Sequence, residues 1–153
     1  MKPDRRLCWI LAGAWILSVA AVGVVLALAE APGSSAAAYA DGRWRYLANV
    51  GVLFAGFAAA FAYMGWKRLR PSPLLSGLHW LGCTGGALLI AGSTRAVLDA
   101  TAVGTGEPDA AMTTVAALMT AGGVLFFVGV AAAAFLLIDL ALQGVRNARA
   151  RGG

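Results

Sequence analysis

Four long apolar stretches, joined by short polar pieces, occupy most of this chain. They run from about Leu7 to Ala29, Tyr46 to Trp66, Leu74 to Leu98 and Ala111 to Leu142. A helix rises about 1.5 Å per residue, so each stretch can cross a hydrocarbon core of about 30 Å. In hydrocarbon a backbone must satisfy its own hydrogen bonds, which a continuous helix does. The expected fold class is therefore all-α: a polytopic membrane protein, a four-transmembrane-helix bundle running up-down-up-down. On this reading residues 1–153 form one integral membrane domain. Four spans and their connections leave no room for a soluble catalytic domain.

Composition agrees. The chain is 60% hydrophobic and 12% charged, against about 25% charged in an ordinary soluble domain. A net charge of +5 invites a nucleic-acid reading, but basic residues flanking apolar spans are first a topology signal. No nucleic-acid partner is predicted. Lys2, Arg5 and Arg6 precede the first stretch, Lys67, Arg68 and Arg70 lie between the second and third, and Arg146, Arg149 and Arg151 follow the fourth. The opposite connections hold Arg43, Arg45 and Arg95 with Glu30, Asp41, Asp99, Glu107 and Asp109. The positive-inside rule then places both termini and the 67–73 turn in the cytoplasm, in a multi-pass protein of a bacterial inner membrane. Ala27-Leu28-Ala29 and Ala38-Tyr39-Ala40 resemble signal-peptidase sites. The first stretch is longer than the roughly 7–15 residues of a signal core, so it is expected to remain as a span.

The two cysteines, Cys8 and Cys83, both fall within apolar stretches and form no Cys-x-x-Cys pair. They read as small buried hydrophobes rather than as a bridge or a redox pair. Tyr63 and Trp66 mark the end of the second stretch, just before Lys67, as interfacial anchors. Pro71 and Pro73 stop that helix and preset the next. Pro108 and Asp109 are a start signal for the fourth. The fourth stretch, about 32 residues, would reach nearly 50 Å, so it must tilt, bend or leave the hydrocarbon. Gly122-Gly123 is a candidate bend.

Small residues recur at helical spacing. Gly51, Ala55 and Ala59 are four apart, as are Gly56 and Ala60, and Gly82 and Gly86 form a GxxxG pair. Such faces let helices approach closely, so Gly51, Ala55, Ala59, Gly82 and Gly86 are the candidate packing residues.

Few residues could carry chemistry. His79, the only histidine, could ligate a haem or pigment or relay a proton. One histidine supplies at most one axial ligand, so no cofactor is predicted outright. Its depth, one to two turns from the inner boundary, favours an interfacial or helix-bonded imidazole. The run Leu78-His79-Trp80-Leu81 followed by glycines resembles a helix of haem–copper oxidase subunit I over one short segment. The several metal-binding histidines of that family are absent here, so the resemblance implies no oxidase chemistry in this chain alone. Arg95 and Asp99 are spaced to share a helix face near the outer end, and Asp139 lies about one turn inside the inner end. These three are the candidate polar contacts for transport. No metal cluster, nucleophile–base spacing or phosphate-binding loop is present, so neither catalytic nor metal-binding residues are predicted.

Three function classes follow. The leading expectation is a non-catalytic subunit or assembly factor of a larger inner-membrane complex. It would pack through its small-residue faces against lipid and against other membrane subunits or further copies of itself. The second is a small oligomeric channel or transporter using Ser76, His79, Thr84, Asp139 or the Arg95–Asp99 pair. The third is a haem- or pigment-associated membrane protein resting on His79. For the first, His79→Ala is expected to matter little.

Overall fold

The computed structural model describes residues 5–28, 37–67, 69–102 and 108–152. Four helices account for nearly all of them: α1 (Arg5–Leu28), α2 (Ala37–Trp66), α3 (Pro73–Ala102) and α4 (Pro108–Gly152). Among the described residues there is no strand. Each helix holds a segment long and apolar enough to cross a membrane: Arg6–Leu28, Trp44–Trp66, Pro73–Ser93 and Met112–Asn147.

The punctuation comes from the turn chemistry. At the end of α2 the Leu69 N–H reaches back to the Met64 carbonyl at 2.9 Å. This six-to-one bond closes a helix terminus by satisfying a carbonyl with no partner further along. Pro73 opens α3, where a missing N–H costs nothing. Ser72 caps it, its Oγ accepting from Leu75 N–H at 3.5 Å. Pro108 likewise opens α4.

Two helices outrun the expected apolar stretches. α2 begins at Ala37 rather than near Tyr46, and α4 continues to Gly152 rather than stopping near Leu142. The added pieces are polar but rich in alanine and arginine, which are strong helix formers. α4 is helical throughout, Gly122 and Gly123 included, and at 45 residues it is about 67 Å long.

α1 packs on α2 and α3, and α3 packs on α4. The α3–α4 contact is the closest. A β-carbon placed on Gly82 would stand 2.7 Å from Gly129 Cα, and one on Gly86 would stand 2.5 Å from the Gly122 carbonyl oxygen. One on Gly129 would meet Cys83 N at 2.5 Å, and one on Gly122 would meet Ile90 Cγ1 at 2.8 Å. Only hydrogen fits at these four positions, so glycine lets two backbones touch. Gly65 plays a milder form of this part between α2 and α1, with Trp9 Nε1 at 3.1 Å and Cys8 Cβ at 3.2 Å from a β-carbon there. Gly51 faces Val19 at an ordinary 3.8 Å.

Large side chains fill the remaining interior. Trp15, Val22, Phe54, Phe61, Cys8 and Cys83 are buried, and both cysteines are free thiols. The face of α2 turned to this core is Val50, Phe54, Ala58, Phe61 and Met64. Ala55 and Ala59 lie on its exposed side, with Gly56 and Ala60. The four-residue spacing is real, but within this chain it belongs to the outer surface of α2.

Candidate functional site

His79 stands where all four helices meet. It is one turn into the apolar part of α3 and is only 2% exposed. Three aromatic rings from α1 and α2 enclose it. The Phe57 ring lies edge-on at 4.4 Å between centroids, Trp15 at 4.9 Å and Phe61 at 6.4 Å. Trp15 is in turn packed on Phe54 and Phe57, at 4.8 and 4.7 Å. From α4, the Gly129 carbonyl oxygen lies 2.9 Å from His79 Nδ1. A carbonyl can only accept, so Nδ1 carries the proton and donates, which leaves the lone pair of the neutral ring on Nε2. The contact exists because Gly129 has no side chain: the close approach that it permits brings its own carbonyl to the imidazole. Cys83, one turn further along α3, has its Sγ 3.6 Å from the same Nδ1.

The imidazole is therefore enclosed by the bundle rather than exposed on its surface. It is bonded to a helix, but to a neighbouring helix and from deep inside the bundle. Depth along α3 is all that sequence position reports, and it carries no information about the rings that close over the site.

A second polar group sits beside it. Ser18 of α1 accepts from Trp80 Nε1–H and from Thr84 Oγ1–H, both at 3.1 Å, and donates to the Ala14 carbonyl at 2.8 Å. A hydroxyl has one donor and two acceptor positions, so Ser18 is saturated. Further along α3 the Tyr46 hydroxyl donates to the Ala87 carbonyl at 2.8 Å, and Ser93 donates to the Ile90 carbonyl at 2.7 Å. Polar groups of α1, α2 and α3 are thus met by one another or by backbone carbonyls in an apolar interior, where an unmade hydrogen bond is costly.

Two groups depart from this pattern. Trp15 Nε1 and Ser76 Oγ are fully buried with no hydrogen-bond partner, and both residues flank His79. An unmet buried donor costs about 1–3 kcal/mol. Ser76→Ala is accordingly expected to leave the unfolding midpoint in detergent unchanged or to raise stability by about 1 kcal/mol. A clear loss would mean that the hydroxyl is satisfied in the folded protein.

Asp139 lies apart from this centre. Asp139 is half-buried and accepts from Gln143 Nε2 at 2.9 Å, and the same amide nitrogen donates to the Arg70 carbonyl at 3.2 Å. Asp139 is ten residues beyond Gly129 on α4, about 15 Å along the axis. Through Gln143 it is one step removed from the α2–α3 turn. Arg95 and Asp99 are both carried by α3, and their side chains lie outside the described residues. Gly82 and Gly86 meet Gly129 and Gly122, the two partners that spacing alone did not single out. Among the described residues no three metal-ligating side chains come together.

Comparison of the chain with protein-family models, with curated proteins and with solved structures finds no match.

Proposed function

We propose that this chain is a non-catalytic integral membrane subunit or assembly factor of a larger inner-membrane complex. One observation carries the reading. Five polar side chains of the apolar helices are buried and, Ser76 apart, hydrogen-bonded to a side chain or a backbone carbonyl of the bundle, while large apolar side chains make up much of the exterior. Ser18, Ser76, His79, Thr84 and Ser93 are buried. Leu17, Val52, Phe127, Phe135 and Leu137 are each more than 60% exposed. Functional polar groups in a membrane usually line a path or a site open to ligand. Here they are used to hold four helices together, which leaves the outer faces as the working surface. The small-residue face of α2, at Ala55, Gly56, Ala59 and Ala60, is the part of that surface suited to close helix contact.

The bundle is read as up-down-up-down with both termini cytoplasmic. Contacts support this order. Gly23 faces Leu47 while Gly65 faces Trp9, and Gly82 meets Gly129 while Gly86 meets Gly122, the pairings expected of antiparallel α1–α2 and α3–α4. The same contacts bring the start of α1, the α2–α3 turn and the late part of α4 to one end. That end collects Lys67, Arg70, Arg146 and Arg149, the distribution expected of a cytoplasmic face.

The test is purification of the tagged chain from its native membrane in gentle detergent, with protein identification and an absorption spectrum on one sample. Stoichiometric membrane partners are expected, and Gly56→Leu with Ala59→Leu is expected to reduce their recovery about tenfold or more while the chain stays folded. A colourless chain recovered only with copies of itself would overturn the reading and favour a channel or transporter. The unpartnered Trp15 and Ser76 beside His79 would then be the place to look for its path. A visible band lost in His79→Ala would favour a haem or pigment carrier.

A further inference from the structure

α4 does not end where the rest of the bundle ends. Gln143 touches the Arg70 carbonyl, so α4 is level with the α2–α3 turn at that residue. Residues 144–152 continue the helix past it. Gly144, Val145, Arg146, Asn147 and Arg149 are all exposed, and so are Lys67 and Arg70 in the turn beside them. No Asp or Glu lies between Asp139 and Gly153, and Asp139 is already engaged by Gln143. The projecting arm thus carries cationic charge without acidic residues of its own.

We propose that this arm, through Arg146 and Arg149 together with Arg70 and Lys67, binds the phosphates of anionic phospholipid headgroups. The proposal rests on the membrane reading above. Distance selects the headgroup layer over a soluble partner. Exposed Tyr63 and Trp66 end α2 just before Lys67, which places the turn at the edge of the hydrocarbon. Arg146 and Arg149 lie three and six residues beyond Gln143, about 4.5 and 9 Å further along the axis. The headgroup region adds about 5–7 Å on each side of the hydrocarbon core. Both guanidinium groups therefore fall at or just above the phosphates, within reach of a side chain that bends back toward the surface. Arginine suits the site because its planar fork meets phosphate oxygens two at a time.

The full-length chain, reconstituted in vesicles of phosphatidylcholine with and without phosphatidylglycerol and then extracted in gentle detergent, tests this by native mass spectrometry of the retained lipid. Phosphatidylglycerol is expected to be enriched over phosphatidylcholine in the wild type. Arg146→Gln with Arg149→Gln is expected to lower that enrichment about tenfold or more, since each basic residue at such a surface counts separately. Arg146→Lys with Arg149→Lys, which keeps the charge but not the planar fork, is expected to retain more of it than the Gln variant and less than the wild type. Equal retention of both lipids, or an enrichment indifferent to the Gln variant, would overturn the proposal. So would competition by soluble glycerol phosphate, which would indicate a phosphate site independent of the bilayer. Loss of lipid preference together with an acidic soluble protein captured by the wild type alone would assign the arm to that protein instead. A chain that fails to insert into either vesicle would remove the membrane reading itself, whereas insertion without preference removes only this inference.

Discussion

Leucine at Gly129 or Gly86 is expected to force α3 and α4 apart and to cost the folded chain about 3 kcal/mol, the upper end of what overpacking does. The reason is where the new atoms must go. A β-carbon at Gly129 would stand 2.5 Å from Cys83 N, and one at Gly86 would stand 2.5 Å from the Gly122 oxygen. Backbone atoms cannot swing aside as the end of a side chain can, so the helices must separate along the whole contact. Packing is also what chiefly holds helices together in hydrocarbon, since burial there brings no gain from expelled water. Gly92→Ala and Gly123→Ala provide the contrast, because nothing lies within 4 Å of a β-carbon at either position. They should leave stability unchanged or raise it by up to about 1 kcal/mol, the helix preference of alanine over glycine. Denaturation in detergent and protease resistance would separate the two classes. If all four variants behaved alike, the close contact between α3 and α4 would be mistaken.

The existence of the four helices is legible because apolar length alone demands them, and Pro73 and Pro108 mark two of their starts. Their full extent is not. Hydropathy reports what must leave water, and it is blind to the alanine- and arginine-bearing ends of α2 and α4, which are helical for other reasons. The small-residue pattern shows the same limit. Gly82 and Gly86 are visible as a pair, yet their partners Gly122 and Gly129 are seven apart and form no such motif. Ala55 and Ala59 have the motif spacing and face outward. Spacing defines a face, and only the pairing of helices decides what that face meets. The His79 centre is harder still. Its contacts join residues 50, 62 and 66 positions apart, His79 to Gly129, Trp80 to Ser18 and Thr84 to Ser18. Nothing local in the chain announces them.

That burial changes what is expected of His79. A peripheral imidazole could be removed cheaply, and sequence position alone predicts that His79→Ala matters little for a packing subunit. A ring enclosed by Trp15, Phe57 and Phe61 and bonded to Gly129 cannot be removed cheaply. His79→Ala should cost about 3 kcal/mol, from the cavity left among the rings and the hydrogen bond lost to α4. His79→Phe isolates the second part. It keeps an aromatic ring of similar size and gives up only the donor, so it should cost about 1 kcal/mol. The pair of variants also separates structure from chemistry. If His79 serves the fold, His79→Phe should unfold slightly earlier yet still recover the same membrane partners at the same stoichiometry. If the imidazole carries a proton or a cofactor, His79→Phe should fold and assemble but lose its transport signal or its absorption band. A His79→Ala chain as stable as the wild type would contradict the enclosed site altogether. The imidazole would then return to the interface, and the assignment of the bundle's polar centre to helix packing would go with it.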